Sequence, residues 1–291
     1  MINTNMIRNK IKSISNTKKI TKTMEMVAIT KIKKMQNKIL ISQPYLNSIK
    51  EIIFHFLQGK LKKNIFLKKK KQIKSIGIVV VSSNRGLCGS LNNNIFKIVN
   101  SVMKNNTNHN IKFFLYILGK RGSLFFKNQN IHHNYKTIFL DDELEYTDLI
   151  PLAKKLIIHY KKNIFDKLLI VSNKFYSRIL QKPEIFQILP IHKKNFSGPK
   201  YTIYKNWDYL YEYYEKYTIE YVLNEYIIFQ LLQLLLENQL SEQSARMIAM
   251  KTATDNSKNI ITDLRILYNK IRQFSITQEL IEIISGANIC L

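Results

Sequence analysis

The chain has 291 residues, 45% of them hydrophobic, with 46 Lys or Arg against 20 Asp or Glu and a formal net charge of +26. That apolar content excludes wholesale disorder, and the length admits one or two domains with a sizeable core. Cys88 and Cys290 follow no metal or redox spacing, so both read as reduced thiols of a cytosolic compartment rather than a disulfide framework.

The charge is unevenly spread: the net is +17 over residues 1–74, +13 over 75–206 and −4 over 207–291. A pI near 9.9 is compatible with nucleic-acid binding, but Lys, Asn and Ile are abundant everywhere, so biased residue usage accounts for most of the excess. No secretory signal is expected, because the N-terminus lacks a continuous apolar core. No membrane span is expected either. The most apolar stretch, Tyr221 to Leu240, is interrupted by Asn224, Glu225, Gln230, Gln233, Glu237 and Asn238.

Residues 4–58 contain no glycine and one proline, Pro44. Ile7, Ile11, Ile14, Lys18, Thr21, Glu25, Ala28, Ile32, Met35, Ile39, Ser42, Leu46, Ile49, Ile53 and Phe56 alternate steps of four and three, the seam of a coiled-coil helix. The seam resumes in phase after Pro44, so the proline is expected to kink the helix rather than break it. Gly59 closes it. Lys60 to Lys74 then reads as a solvated basic linker.

Seven of the eight glycines and four of the five prolines fall between Gly59 and Pro199, which confines the turns to the middle of the chain. Strands are expected at Ser75 to Ser82, Ile111 to Leu118 and Lys167 to Ser172, with weaker ones at Thr137 to Leu140 and Glu184 to Leu189. Helices are expected at Leu91 to Met103 and about Thr147 to Lys162. This alternation predicts a small α/β domain with a parallel, Rossmann-like sheet. The loop from Ser82 to Asn92 sits where phosphate-binding loops sit, yet it has neither the G-x-G-x-x-G nor the G-x-x-x-x-G-K-[ST] order, so a tight strand-to-helix turn is expected. Cys88 has no identifiable base at a catalytic spacing. His132-His133 lacks a third ligand candidate, and Asp141-Asp142-Glu143-Glu145 reads as an acidic lead into the following helix. No cofactor or metal is expected.

Trp207 to Tyr214 is an aromatic cluster that either packs the domain or binds a partner. From Lys200 to Ser285 there are eighty-six residues without glycine or proline. A second seam is expected at Ala253, Ser257, Ile260, Leu264, Leu267, Ile271, Phe274, Gln278, Ile281 and Ser285. As one helix this stretch would run about 110–120 Å, too long to fold inside a small domain. If the two termini lie side by side, the polar seam positions Lys18, Thr21 and Glu25 are expected to face Gln278 and Ser285.

Several segments, in order along the whole chain, carry a resemblance: Ile11 to Ala28, Arg85-Gly86-Leu87-Cys88-Gly89, Val171 to Phe175, Trp207 to Glu212, Gln243 to Lys251, and Ile276 to Ala287. The chain resembles the γ subunits of rotary F-type ATP synthases. The resemblance implies an antiparallel coiled coil of the terminal helices with a Rossmann-like α/β domain inserted between them: helix over 1–58, linker over 59–74, α/β domain over 75–206 and helix over 207–291. It implies a non-catalytic rotor shaft that couples proton flow to ATP synthesis. Its partners would be the α and β subunits, the ε subunit and the c-ring, at the cytoplasmic face of a bacterial inner membrane. By the same resemblance Lys22, Met24, Arg246, Arg272, Gln273 and Thr277 would contact β, and Tyr211 and Glu212 the c-ring. The dithiol insertion of chloroplast relatives is absent, so no redox control is implied. Two other readings are a basic coiled-coil nucleic-acid binder using Lys60 to Lys74, and a small α/β enzyme with a coiled-coil arm and a ligand on the Arg85 to Asn92 loop.

Overall fold

A computed structural model describes residues 4–58, 65–68, 70, 72–107, 111–128, 134–138, 145–191 and 215–289. Two long terminal helices, α1 (Thr4–Gln58) and α5 (Glu215–Ile289), flank a five-stranded sheet and three shorter helices. The chain divides into two compact units, residues 1–29 with 246–291 and residues 30–245.

Every one of the fifteen expected α1 seam positions is buried or half-buried. The reason is periodicity: only the four-three positions are apolar turn after turn, although Met6, Ile20 and Met26 among others stand outward between the lysines and asparagines. α1 runs through Pro44 without a break. Within the smaller unit Thr21 meets Thr254, and within the larger one Tyr45 rests on Phe229 at 4.2 Å between ring centroids. Going up 24 positions on α1 goes down 25 on α5, as antiparallel pairing requires.

In the larger unit the strands β1 (Ser75–Val81), β2 (Lys112–Leu118), β3 (Asn134–Ile138), β4 (Lys167–Phe175) and β5 (Gln181–Leu189) stand in the order β3-β2-β1-β4-β5. The first four are parallel, as expected of strands separated by helices. β5 is antiparallel to β4, contrary to an all-parallel sheet, because the link of only five residues, 176–180, is a hairpin turn too short for a crossover. One sheet face packs Ile76, Ile78, Val80, Leu115, Ile117 and Val171 against α2 (Leu91–Thr107) and Phe126 of α3 (Lys120–Asn128). On the other face Tyr116 of β2 bonds His159 of α4 (Tyr146–Lys161), and Phe165 lies over Gly77, where a Cβ would come within 3.0 Å of its ring. α5 completes this unit by burying Leu223, Ile227, Leu231, Leu234 and Leu235. By length and composition alone α5 could cross a membrane. Its most apolar stretch is instead largely spent inside this unit.

Asp166, 9% exposed, anchors the entry to β1. Burial alone pushes its carboxyl up, but the Lys70 ammonium at 2.6 Å and the N–H groups of Lys74 and Ser75 at 2.8 and 3.0 Å outweigh that and hold it below the usual range. A depressed folded-state pKa adds stability above the ordinary aspartate range near 4, and that stability is lost as pH falls through the folded value. Asp166→Asn is therefore expected to flatten the acid limb of urea-unfolding stability below the ordinary aspartate range near pH 4. An unchanged pH slope would remove this role.

Candidate functional site on the paired helices

The α/β domain is the natural place to look for chemistry. In an open parallel sheet ligands bind beyond the carboxyl ends of strands, next to the β1–α2 turn. Here those polar groups serve the chain itself. Asn92 Oδ1 accepts the Ser83 N–H at 3.1 Å, and its amide donates to Ser83 Oγ and Cys88 Sγ at 2.7 and 3.2 Å. Ser83 O accepts from Arg121 N, and Ser82 Oγ from Gly122 N, so α3 closes over the turn. The expected tight turn is what forms, with Leu87 and Gly89 at positive φ. Cys88 is a buried free thiol, and Cys290 lies outside the described residues. His159 is pushed down by burial and by Lys155, Lys136 and Lys162. Among the described residues no three metal-ligating side chains gather. His132-His133, Asp141 to Glu143 and the Trp207 to Tyr214 cluster lie outside the described residues, while Glu145 does lead into α4, its N–H bonded to Asp148 Oδ2.

The paired-helix unit carries all six expected β contacts. Its inner face on α1 is Ile7, Ile11, Ile14, Lys18, Thr21, Glu25 and Ala28. On α5 it is Met250, Ala253, Thr254, Ser257, Ile261, Leu264, Tyr268, Ile271, Ser275 and Gln278. The expected α5 seam therefore needs correction at alternate positions. Ser257, Leu264, Ile271 and Gln278 point inward, but the inward residues after the first three are Ile261, Tyr268 and Ser275, four further on rather than three, and Ser285 is exposed. Ile260, Leu267, Phe274 and Ile281 stand outward, 45%, 39%, 69% and 58% exposed.

Midway lies a polar layer. The Thr21 and Thr254 hydroxyls are 2.8 Å apart, and each also reaches a carbonyl of its own helix, Lys18 O at 3.0 Å and Met250 O at 2.8 Å. Two protons serve three contacts, so one threonine donates across the interface while the other donates within its helix. Glu25, 8% exposed, accepts from Lys22 Nζ at 3.1 Å, and Ser257 donates to Ala253 O at 2.7 Å. The Thr21–Thr254 register overturns the expected facing of Lys18, Thr21 and Glu25 with Gln278 and Ser285. Those two lie more than twenty residues along α5, and Gln278 bonds Glu282 on its own helix. Thr21→Val alone is expected to cost about 1 kcal/mol, with Thr21→Val/Thr254→Val recovering part of it, because the pair rather than either hydroxyl is what burial tolerates. Additive losses in thermal melts would refute the coupling.

The six expected contacts fall into two groups. Lys22 and Met24 are exposed and Arg246 is half-buried; carried along the Thr21–Thr254 register, Arg246 stands level with Ile29. Arg272, Gln273 and Thr277 are exposed and, by the same register, lie past the start of α1 at Thr4. Thr277 bonds back to Gln273 O at 2.9 Å. Arg272 is the last basic residue of the chain, after which come Glu279, Glu282 and exposed Ile276, Leu280, Ile283 and Ile284. Tyr211 and Glu212 lie outside the described residues.

Two long helices in antiparallel pairing, with a Rossmann-like domain between them in the chain and an outer surface left apolar, are the make-up of a stalk-type subunit. The sequence model of the family described as ATP synthase matches residues 3–289. Gamma chains of Buchnera aphidicola are similar over nearly the full length: 42% identity over 287 residues for subsp. Baizongia pistaciae, covering 99% of this chain and 98% of that one. For subsp. Schlechtendalia chinensis the identity is 44% over 283 residues, covering 97% and 96%. The fold is shared with a chain of the Euglena gracilis mitochondrial ATP synthase, "OSCP/F1/c-ring, rotational state 3", at TM-score 0.67, 22% identity and 98% and 93% coverage. It is also shared with one of the Tetrahymena thermophila "central stalk/cring", at TM-score 0.59, 23% identity and 80% and 99% coverage. The chain belongs to the ATP synthase gamma chain family.

Proposed function

We propose that this chain is the central rotor shaft of an F-type ATP synthase, turning inside the αβ hexamer and coupling proton flow through the c-ring to ATP synthesis on β. It performs no bond chemistry itself. Its four parts are the helix over 1–58, the linker over 59–74, the α/β domain over 75–206 and the helix over 207–291. The observation that supports the reading best is the outer surface of the paired helices. Met6, Ile20, Met26, Ile266, Phe274, Leu280, Ile281 and Ile283 are all more than half exposed, an apolar load that calls for a surrounding partner. Residues 1–29 add six basic side chains against one acid, which suits acidic levers on that partner. Lys22, Met24 and Arg246 would meet β over one stretch of the shaft and Arg272, Gln273 and Thr277 over another nearer its end. Tyr211 and Glu212, with the ε subunit, would rest on the c-ring. The place of work is the cytoplasmic face of a bacterial inner membrane.

The test is to purify the tagged chain from its own cell membranes. α, β, ε and c subunits are expected with it, together with ATPase activity. Recovery with nucleic acid and without α and β would overturn the reading in favour of a basic coiled-coil binder.

A further inference from the structure

β1 pairs with β4 only as far as Val80 opposite Val171. Two residues on, Asn173 has outrun β1; it faces Pro183 on β5, but its N–H and C=O both turn to the side that β1 has left. Buried backbone groups that no neighbouring strand meets need other partners. They come from α5. Asn238 Oδ1 accepts both the Asn173 N–H and the Asn173 side-chain amide, each at 3.0 Å, and the Ser241 hydroxyl reaches Asn173 O at 3.4 Å. Asn173, Asn238 and Ser241 are 1%, 2% and 0% exposed.

Around this contact α5 offers the sheet unit leucines: Leu231, Leu234, Leu235, Leu236 and Leu240 are all buried. Such a surface holds a helix strongly and orients it weakly, because apolar attraction has no direction and neighbouring leucines are interchangeable. Hydrogen bonds weaken steeply with angle. A turn of α5 by one residue would bring the longer Glu237 or Gln239 to that place and lose the fit in which the short Asn238 amide oxygen takes both Asn173 donors.

We propose that Asn238, supported by Ser241, is a positioning residue that locks the rotational register of α5 on β4, so that torque passes between the α/β domain and the helix without slip. This rests on the rotor reading above. Residue 238 lies two turns before α5 passes out of the larger unit at residue 246, so the lock acts where the load leaves the domain.

The test uses the whole complex in inverted membrane vesicles, reading ATP hydrolysis and ATP-driven acidification side by side. Asn238→Leu is expected to keep more than half of the hydrolysis while lowering acidification per ATP at least threefold. Should that variant fail to assemble, Asn173→Cys/Asn238→Cys is assembled oxidised and then reduced in the same sample. The cross-linked form is expected to couple like the parent, and the reduced form to lose coupling while a reduced parent control does not. Parent-like acidification per ATP in Asn238→Leu or in the reduced double variant would overturn the lock. So would a parallel fall of hydrolysis and acidification, which marks a merely structural role. Failure of the rotor reading looks different, since the parent chain would then be missing from the ATPase complex altogether.

Discussion

Gly119→Ala is expected to destabilise the α/β domain by about 3–5 kcal/mol, roughly a fifth or more of what a domain holds. Gly119 has φ +94°, which L side chains adopt only under strain of roughly 1–3 kcal/mol. A Cβ there would also sit 2.2 Å from Ser82 O and 2.8 Å from Ser82 C, both backbone atoms with no soft way to retreat. Relief means separating the end of β1 from the start of α3. That strains Ser82 N and Oγ bonded to Leu118 O at 2.9 and 2.7 Å, and Gly122 N bonded to Ser82 Oγ at 2.9 Å. Each such bond is worth about 1 kcal/mol net. Urea unfolding combined with amide exchange on β1 and β2 measures the loss. A change below about 1 kcal/mol would mean that the turn adapts and that the close approach carries no weight.

That turn also shows what sequence could and could not tell. The strands β1, β2 and β4 are written as short runs of branched and aromatic residues between breakers, and they lie where pattern puts them. α3 carries no such signature. Its nine residues contain Gly122 and no acidic residue in the first turn, so it forms because Ser82 and Ser83 receive its N-terminal N–H groups, a tertiary cause invisible in a local window. Likewise, Val171 to Phe175 is legible as part of a family resemblance, but the pairing of Asn173 with Asn238 spans 65 positions and has no periodicity to betray it. The candidate contacts on the paired helices came from resemblance alone. What the geometry contributes is their separation into two stretches of the shaft and the outward stripe beside them.

The α5 seam explains the remaining miss and supplies the sharpest test of the rotor surface. On α1 the apolar residues that keep the four-three step form one stripe, and the exposed ones such as Met6, Ile20 and Met26 fall off it, so the inward side is legible. On α5 apolar residues occur at 260 and 261, at 266, 267 and 268, and at 274 and 276, so a heptad search finds two stripes and prefers the greasier. The helix turns Ile261, Tyr268 and Ser275 inward and leaves Ile260, Leu267, Phe274 and Ile281 as an outward ridge. A coiled coil that answered only to its own partner would put Phe274 inside and Ser275 outside. The reversed choice fits a helix covered on both sides. Phe274→Glu is therefore expected to leave the melting temperature of the isolated chain within about 2 °C of the parent, as befits a side chain 69% exposed. It is expected to weaken association with the α and β subunits at least about tenfold, since burying an aromatic side chain is worth roughly 1.5–3 kcal/mol and the carboxylate must also be desolvated. Ile261→Glu, the same chemistry at a residue 9% exposed, is expected to do the reverse, melting the chain itself by several degrees. If Phe274→Glu lowered the melting temperature as Ile261→Glu does, the ridge would belong to the fold and not to a partner. If it left both stability and association untouched, the apolar stripe would have no occupant at that level of the shaft.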